Sequence, residues 1–454
     1  VGMGDRGDQM DVVIVEGVRT PLVKSGMKAE TAKISAVELG KVALKELIAR
    51  ANLDVNNVDE VIIGNTGSHV DAVNISRVIA LGSGMPLKTS ATTTHRNCAS
   101  GMESITSAFD KIKSGTNQVV VAGGTENMTQ FPLLFPKGFT RVFEKLAGAK
   151  SVGSRLGALL DLFKADIKQV VELMTTDPMK NTEYKPTVAV IEGLTDPFVG
   201  INMGQTAEIL AKEFGISRSE QDQFALQSHL KATAAAEKLR QEIVPLMVPP
   251  KFENIIYDDI GPRANQTMEA LAKLKPFFDK KTGSITAGNA CPLTDGAAMV
   301  LLMSRKRASD LGYKPLARIR SYAFAGLEPE RMGLGPVYST PLALKRAGLT
   351  MKEIGLIEIN EAFAAQVLSC CAAFDSDEFA KNKLGLSAKV GSIDTNILNV
   401  NGGAIAIGHP IGATGTRLIL TLAKEMMRRQ VQFGLATLCI GGGQGGAVIL
   451  EKEN

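Results

Sequence analysis

A cysteine followed by a run of glycines stands near the end of the chain. Cys439 closes an apolar run, residues 433–438, and is followed closely by Gly441, Gly442 and Gly443. A thiol at the end of a buried strand, beside backbone without side chains, predicts a reactive sulfur in a narrow tunnel whose N–H groups face a substrate oxygen. The alternative is a glycine-rich hairpin around a buried, unreactive cysteine.

The same glycines match the G-x-G-x-x-G pattern of dinucleotide-binding folds through Gly441, Gly443 and Gly446. That pattern holds a pyrophosphate only when a helix begins directly after it. Here residues 447–451 form a second apolar segment typical of a strand. No dinucleotide site is therefore expected.

A second cysteine has a different setting. Cys98 lies between a short β-prone run, residues 91–94, and a helical pattern from Ser100 to Lys113. A thiol at the start of a helix faces the positive end of the helix dipole, which predicts a lowered pKa and a nucleophilic thiolate. Simple packing at a helix start is the alternative.

One of the four histidines has a setting suited to catalysis. His409 lies among glycines and alanines just before another helical pattern, so a substrate has room beside the imidazole. The expected role is a general base for a thiol. His69 and His229 lie in polar contexts that predict a surface position, and His95 is expected to point away from Cys98.

An asparagine completes the set of candidate residues. Asn360 ends an apolar strand-like segment, where its amide can hold a water or a carbonyl, or can cap the following helix. A Cys/His/Asn hydrolase is one interpretation, but it leaves the second thiol without a role. An acyltransferase that forms carbon–carbon bonds uses both thiols, one to carry the acyl group and one to move a proton at an α-carbon.

The elements that must position these residues repeat along the chain. Strand-like and helix-like segments alternate in the first and last thirds, with the continuous apolar strands that are typical of buried parallel sheets. The segments 61–65 and 356–360 both end on an asparagine. This pattern predicts an α/β protein of two related halves, packed face to face, with the chemistry at equivalent strand ends.

The segment between the halves is too long and irregular for a connector, which predicts an inserted domain. The expected division is a tail at 1–10, a first half at 11–128 completed by 294–315, an inserted domain at 129–293, and a second half at 316–454. Within the insert, residues 141–174 place apolar side chains at helical spacing among lysines and arginines. Helices facing a core are expected there, and a helix that binds a partner or a membrane surface is the alternative.

Composition excludes several classes of protein. The 454 residues carry a formal net charge of +4, so charge predicts neither nucleic-acid binding nor membrane binding. The apolar runs are shorter than the roughly 18 residues of a membrane span. The five cysteines form no C-x-x-C pair, which favours free thiols, no metal and a reducing compartment. The expected location is the cytoplasm, or the mitochondrial matrix if a targeting peptide has been removed.

From residue 11 to residue 451 the chain resembles a thiolase. The matching motifs are Val18-Arg-Thr-Pro21, Asn97-Cys-Ala-Ser-Gly101, Ala122-Gly-Gly-Thr-Glu-Asn-Met128, Met203-Gly-Gln-Thr-Ala-Glu208, Ser217-Arg218 with Gln221-Asp222, Thr286-Ala-Gly-Asn-Ala290, Asn360-Glu-Ala-Phe363, Gly408-His-Pro410 and Cys439-Ile-Gly-Gly-Gly443. The resemblance implies duplicated βαβαβαββ halves that form a five-layered α/β/α/β/α core with an inserted loop domain.

The resemblance also implies catalytic roles. Cys98 would be the acylated nucleophile, activated by His409. Cys439 would exchange a proton with the α-carbon of acetyl-CoA. Asn360, through a water, would form one oxyanion hole with His409, and the backbone N–H groups of Cys98 and Gly441 would form the second. Coenzyme A and acetyl-CoA would be substrates, with no metal and no permanently bound cofactor.

Substrate contacts follow from the same resemblance. Coenzyme A would lie along the inserted domain with Arg263 on its adenine side, and Met203 and Phe363 would line the acyl pocket. After Ala290, where family members commonly carry a serine that touches pantetheine, this chain has Cys291. The hydroxyl contact is therefore not expected.

The implied reaction is a reversible, CoA-dependent Claisen condensation or thiolysis by a ping-pong mechanism, with acetoacetyl-CoA as the expected substrate and a homodimer or homotetramer as the expected assembly. Residues 141–156 resemble the thiolase subunit of the β-oxidation trifunctional complex, which keeps open a longer-chain enzyme with a hydratase/dehydrogenase partner subunit. That subunit has histidine where this chain has Asn360. The cysteine at 439 argues against decarboxylating or HMG-type condensing enzymes, and the full catalytic set argues against a non-catalytic scaffold subunit.

Overall fold

The computed structural model describes residues 11–67, 71–135, 137–158, 160 and 187–453. The predicted tail at 1–10, His69 and the stretch 161–174 of the expected insert helices lie outside these residues.

The longest strands, of 8 to 11 residues, all belong to the main sheet. The bounds of the strands are β1 (Val12–Arg19), β2 (Val23–Lys24), β3 (Glu60–Gly64), β4 (Ser90–Thr94), β5 (Val119–Glu126), β6 (Leu133–Leu134), β7 (Thr187–Val188), β8 (Leu246–Met247), β9 (Ile255–Ile256), β10 (Thr294–Ser304), β11 (Ala317–Gly326), β12 (Leu356–Ile359), β13 (Phe433–Ile440) and β14 (Gln444–Glu451). The glycines after Cys439 therefore lead into a strand, as predicted, and not into a helix.

The α-helices cover the faces of this sheet and build the segment between the halves. Their bounds are α1 (Ala36–Arg50), α2 (Ile75–Gly82), α3 (Ser100–Lys113), α4 (Lys137–Gly148), α5 (Ala189–Gly193), α6 (Met203–Glu213), α7 (Arg218–Ala234), α8 (Ala236–Arg240), α9 (Met268–Ala272), α10 (Arg305–Asp310), α11 (Gly335–Ala347), α12 (Ala364–Phe374), α13 (Asp377–Phe379), α14 (Ala404–Ile407) and α15 (Ile411–Arg429).

The strand order records an internal duplication. The main sheet runs β12-β13-β14-β11-β1-β10-β5-β3-β4, with β2 beside β10. Moving outward from the junction of β1 and β11, each half has two antiparallel pairings and then a parallel one. The two halves predicted from sequence are therefore present as equivalent sets of strands, with β3 corresponding to β12 and β5 to β13.

Five layers follow from the way successive strand residues face opposite sides. In β3, Ile62 points into the core shared with α3 and α15, whereas Val61 and Ile63 point into the core beneath α1 and α2. In the second half, Leu438 faces α15 and Leu435 faces α11 and α12. The order of layers is thus α1/α2, the first half of the main sheet, α3/α15, the second half of the main sheet, and α11/α12. The predicted α/β/α/β/α core is confirmed.

The segment between the halves is not one unit in the structure. Contact density separates residues 131–195 from the rest, while residues 196–293 belong with the two halves. The smaller unit holds the β6–β7 hairpin and α4, where Val142 is buried and Phe143 is 55% exposed. The division at 129 and 293 stays a prediction. No helix among the described residues is long and apolar enough to span a membrane.

Candidate active site

The two central helices bring Cys98 and His409 to the same end of the molecule's core. Cys98 lies two residues before α3, and His409 lies two residues before α15. The starts of these helices touch, because the Thr416 hydroxyl donates a hydrogen bond of 3.0 Å to the carbonyl of Gly101. A methyl group on Gly101 would lie 2.6 Å from that hydroxyl oxygen, so only glycine permits this approach.

Cys98 is a neutral thiol at rest. Burial raises the pKa of its thiol above the ordinary value, and hydrogen bonds from the N–H groups of Gly441 and of Cys98 itself offset the rise only in part. The predicted lowering of the pKa by the helix dipole is therefore wrong, because desolvation outweighs the backbone donors. Attack by this sulfur requires a base.

His409 is placed and protonated as such a base should be. Its Nδ1 lies 2.6 Å from the Thr414 hydroxyl oxygen, and that hydroxyl also lies 3.0 Å from the carbonyl of Pro410. The carbonyl can only accept, so the single hydroxyl proton goes to Pro410, and Thr414 accepts a hydrogen bond from Nδ1–H of the imidazole. The Nε2 lone pair is then free, and this buried atom has no hydrogen-bond partner within the described part of the chain.

The electrostatic setting keeps His409 neutral. Burial and the charge of Arg417 lower the pKa of the imidazole from its ordinary value to about 3. A neutral imidazole with a free Nε2 accepts a proton and does not form an ion pair with a resting thiolate. Near neutral pH, Cys98 is thus a neutral thiol and His409 a neutral imidazole.

Cys439 sits at the end of β13, opposite Gly445 of β14, and its side chain is buried. Burial raises the pKa of this thiol well above the ordinary value, and the neighbouring thiols of Cys98, Cys370 and Cys291 raise it further. Cys439 therefore remains protonated near neutral pH. A protonated thiol beside a nucleophile is suited to give a proton to a carbanion.

The glycines after Cys439 serve different purposes. Gly442 and Gly443 have φ values of 88° and 74°, in the region that favours glycine, and a methyl on Gly443 would lie 2.3 Å from the carbonyl oxygen of Leu327. Gly441 has no such φ, and among the described residues a methyl there would meet the Met203 sulfur at 3.3 Å and Nδ2 of Asn97 at 3.8 Å. The protein's own packing thus requires glycine at 443, whereas glycine at 441 keeps the space beside Cys98 open.

Asn360 is a buried amide without a protein partner. Its backbone N–H donates to the carbonyl of Thr437, but neither side-chain atom has a hydrogen-bond partner among the described residues. The helix that follows begins at Ala364 with Phe363 at its N-cap position, so the alternative interpretation of Asn360 as the cap is wrong. Leaving a buried amide without a hydrogen-bond partner costs free energy. Such an amide is typical of a residue that binds a substrate or an ordered water.

One extended segment connects the candidate residues. Ala290 forms a β-bridge with Phe363, and the carbonyl of Pro292 accepts a 3.1 Å hydrogen bond from the backbone N–H of His409. Cys291 lies between these two contacts, and burial raises the pKa of its thiol far above the ordinary value. Cys291 is thus a protonated thiol beside the site near neutral pH.

An apolar wall lies next to Cys439. Met203 at the start of α6 packs with Phe363 and Ala290 against the buried thiol. The other members of this cluster are also apolar: Ala207, Ala211, Phe278, Ile285, Met332, Ala362 and Ala365. The cluster offers a hydrocarbon surface beside the sulfur.

Arg263 is exposed on a loop that packs against the segment leading to His409. A methyl on Gly261, in the same loop, would lie 2.1 Å from the carbonyl oxygen of Ala406. His229 lies close enough for the charge of Arg263 to matter, since burial and that charge lower the pKa of His229 to about 4. The predicted surface position of His229 is wrong, because the side chain is buried.

Within the described residues, no cluster of three or more His, Cys, Asp or Glu side chains is arranged to hold a metal ion.

The sequence matches the family description "Thiolase, N-terminal domain" over residues 12–306 and "Thiolase, C-terminal domain" over residues 313–452. The chain belongs to the thiolase family. It is 40% identical over 451 residues to a 3-ketoacyl-CoA thiolase of Shewanella pealeana, an alignment that covers 99% of this thiolase and 98% of the relative.

Solved thiolase structures are similar over the whole fold. An acetyl-CoA acetyltransferase of Bacillus anthracis superposes with a TM-score of 0.81 at 34% identity, covering 98% of this thiolase and 100% of that chain. A human mitochondrial 3-ketoacyl-CoA thiolase in complex with CoA has the same TM-score at 33% identity, covering 98% and 99%. This thiolase is therefore an acyltransferase, of a family that uses coenzyme A as a substrate.

Two supporting residues of this thiolase were missed by sequence reasoning. Thr414 orients His409, and its signal is a hydroxyl residue in the first turn of a helix, where it can bond back to the carbonyl four residues earlier. Glu126 is buried and accepts hydrogen bonds from Asn65 and from the backbone N–H of Gly412, each at 2.9 Å. It ties the end of β3 to the start of α15, and no local pattern marks that role.

Proposed function

We propose that this thiolase cleaves and forms 3-ketoacyl-CoA through an acyl intermediate on Cys98. The observation that carries the proposal is the set of protonation states at one site. Cys98 is a neutral thiol, His409 is a neutral imidazole with a free Nε2, and Cys439 is a protonated thiol. These are the forms that thiolysis needs at its start.

The first half-reaction uses all three groups. Cys98 loses its proton to Nε2 of His409 as its sulfur attacks the 3-keto carbonyl carbon. The bond between C2 and C3 then breaks, and its electron pair goes to the enolate of acetyl-CoA. Cys439 gives its proton to that enolate, so acetyl-CoA leaves and the shortened acyl group remains on Cys98.

The second half-reaction restores the site. The thiol of coenzyme A gives its proton to Cys439 and attacks the acyl thioester. The acyl group moves to coenzyme A, and the Cys98 thiolate that leaves recovers its proton from His409. Read in reverse, the same steps describe condensation, in which Cys439 removes the α-proton of acetyl-CoA.

Negative charge on the substrate oxygens needs donors at two places. The N–H groups of Gly441 and Cys98 are the donors for the thioester of the acyl enzyme, and the contact of the Gly441 N–H with the Cys98 sulfur supports this assignment. Asn360, through a water, and His409 are the donors for the enolate oxygen. Each donor of this kind contributes on the order of 3 kcal/mol to transition-state stabilisation.

Substrate binding is assigned to the surrounding surfaces. Met203, Phe363 and Ala290 present the apolar wall to the acyl group, Cys291 packs beside pantetheine, and Arg263 lies on the adenine side of coenzyme A. The cationic, exposed side chain of Arg263 and the apolar cluster around Cys439 support this arrangement.

Two substrate ranges are distinguished by experiment. The sequence favours acetoacetyl-CoA, whereas the relatives at 40% identity carry the name 3-ketoacyl-CoA thiolase, which favours longer chains. Thiolysis should be measured over 3-ketoacyl-CoA esters from four to sixteen carbons. A rate confined to the four-carbon ester supports acetoacetyl-CoA, and a rate that rises with length supports the longer-chain enzyme.

Cys98→Ala is the matched control for the intermediate. Wild-type protein incubated with radioactive acetyl-CoA should incorporate label, and Cys98→Ala should not; equal labelling of both overturns the acyl-Cys98 assignment. Cys439→Ser should still be labelled but should lose exchange of the acetyl-CoA α-protons. The homodimer or homotetramer, and a hydratase/dehydrogenase partner, stay predictions that light scattering and co-purification can test.

A further inference from the structure

Asn97, which immediately precedes the nucleophile, has an unusual backbone conformation. Its φ is 45°, in the left-handed region that most side chains avoid and that asparagine adopts at low cost. The turn at Asn97 leads through Cys98 into the start of α3 at Ser100. The residue type at 97 is therefore part of what shapes the loop that carries the sulfur.

The side chain of Asn97 connects two loops from opposite halves of the thiolase. Its Nδ2 donates a 2.8 Å hydrogen bond to the carbonyl oxygen of Gly441, in the turn between β13 and β14. The N–H of the same residue, Gly441, offsets part of the rise in the pKa of the Cys98 thiol, so it lies near that sulfur. One glycine thus accepts a hydrogen bond from the residue before the nucleophile and places its own N–H near the nucleophile.

Among the described residues, the space beside this end of the turn is open. Around the positions that methyl groups on Gly441 and Gly442 would occupy, the atoms within 4 Å are Nδ2 of Asn97 and, for Gly441, the sulfur of Met203. The far end is held differently, since the carbonyl of Gly443 accepts a 2.8 Å hydrogen bond from the N–H of Leu327. Asn97 thus supplies a side-chain hydrogen bond to the end of the turn that faces Cys98.

We propose that Asn97 is a positioning residue: its side-chain amide holds the carbonyl of Gly441, fixes the turn at that residue, and so keeps the Gly441 N–H, on the preceding peptide group, directed at the Cys98 sulfur and the oxyanion that forms there. The inference deepens the proposed function and rests on it for the claim that this N–H serves acyl transfer. Asn97 itself is exposed and touches neither sulfur nor substrate in this scheme. Because water competes for an exposed amide, the expected effect is moderate.

Asn97→Gly is the decisive variant, because glycine keeps the left-handed φ and removes only the donor. Asn52→Gly is the matched control, since Asn52 is also exposed and has a φ of 46° far from the site in sequence, after α1. Asn97→Ser replaces the glycine variant if that variant does not fold. The serine hydroxyl is attached to Cβ, one bond closer to the backbone than the asparagine amide nitrogen, and is too short to reach the carbonyl of Gly441. Thermal unfolding should be recorded for each variant.

Two measurements test the proposal. In the full-length protein without substrate, the rate of Cys98 alkylation by iodoacetamide across pH 7 to 10 should shift to higher pH in Asn97→Gly, because a loosened N–H stabilises the thiolate less. In thiolysis, kcat should fall about 5- to 30-fold while KM for coenzyme A changes less than about twofold. Asn52→Gly should match the wild type in both.

An Asn97→Gly protein that matches Asn52→Gly in its alkylation profile and in kcat overturns the proposal. A fall in kcat with a matching rise in KM, and no change in alkylation, also overturns it, since that result indicates a role in substrate binding. If the wild type shows no thiolysis, the proposed function fails, but the alkylation comparison still decides whether Asn97 positions the Gly441 N–H.

Discussion

Replacing Thr414 by valine tests the proton arrangement on which the proposed mechanism depends. Valine has nearly the shape of threonine but no hydroxyl, so Nδ1–H of His409 loses its acceptor at 2.6 Å. Both side chains are buried, so water does not readily replace the lost partner. The imidazole must then bury an unpaired N–H or move its proton to Nε2, which removes the lone pair that receives the Cys98 proton.

The magnitude follows from the cost of an unpaired buried donor, about 1–3 kcal/mol. Proton transfer to Nε2 forms an imidazolium whose Nδ1–H is then unpaired, so at 25 °C this cost corresponds to a loss of roughly 5- to 150-fold in the rate of that step. We expect kcat of Thr414→Val to fall by about 10- to 100-fold, with little change in KM because Thr414 is assigned no substrate contact. Thr414→Ser keeps the hydroxyl and should retain most of the activity.

The assay is steady-state thiolysis with the wild type, both Thr414 variants, His409→Asn and the double variant His409→Asn/Thr414→Val. If Thr414 acts only through the imidazole, the valine substitution should cost nothing further once His409 is absent. A folded Thr414→Val enzyme with kcat within twofold of the wild type would refute the tautomer assignment. Equal, additive losses in the two backgrounds would show that Thr414 acts elsewhere.

Three further predictions concern the same site. Gly443→Ala should destabilise the fold by about 1–3 kcal/mol or more, because residue 443 has a left-handed φ and an added methyl would clash with the carbonyl of Leu327. Gly441→Ala should unfold near the wild-type temperature but should lose on the order of 100-fold in kcat/KM, because its methyl would fill the space beside Cys98. Equal melting temperatures for the two variants would contradict this. Because the pKa of Cys98 is raised, alkylation of the free enzyme should rise about tenfold per pH unit from pH 7 towards 9, and a plateau below about pH 8 would show a lowered pKa. Asn360→Ala should lower kcat by about 10²–10³-fold without slowing alkylation of Cys98, since its amide has no partner within the described residues; unchanged kcat would exclude it from the oxyanion hole.

Much of the architecture could be predicted because it depends on neighbours along the chain. Short apolar strand-like segments that alternate with helical patterns indicated the two halves of the sheet. A strand that is buried on both faces needs apolar side chains on both, as Val61, Ile62 and Ile63 provide. The positions of Cys98 and His409 before helices, and the strand after the glycines, were predicted for the same reason.

The predictions that were wrong mostly concern burial. Cys98 was expected to have a lowered pKa from its place at a helix start, but burial raises the pKa of its thiol. His229 was expected at the surface but is buried. Asn360 was considered as a possible N-cap of the following helix, but Phe363 stands at that N-cap position. The errors at Cys98 and His229 come from burial by the folded chain, whereas the error at Asn360 comes from where the next helix begins.

The sequence by itself thus determined which chemical groups this thiolase carries and which ends of strands and helices present them, because residue type and hydrophobic period act locally. Only the tertiary structure decided how those groups are protonated and aimed. Thr414 sets the tautomer of His409, and the turn at Gly441 reaches Cys98 from more than three hundred residues away. The desolvation and the hydrogen bonds of a group depend on all the residues that pack around it, and those residues come together only in the folded chain.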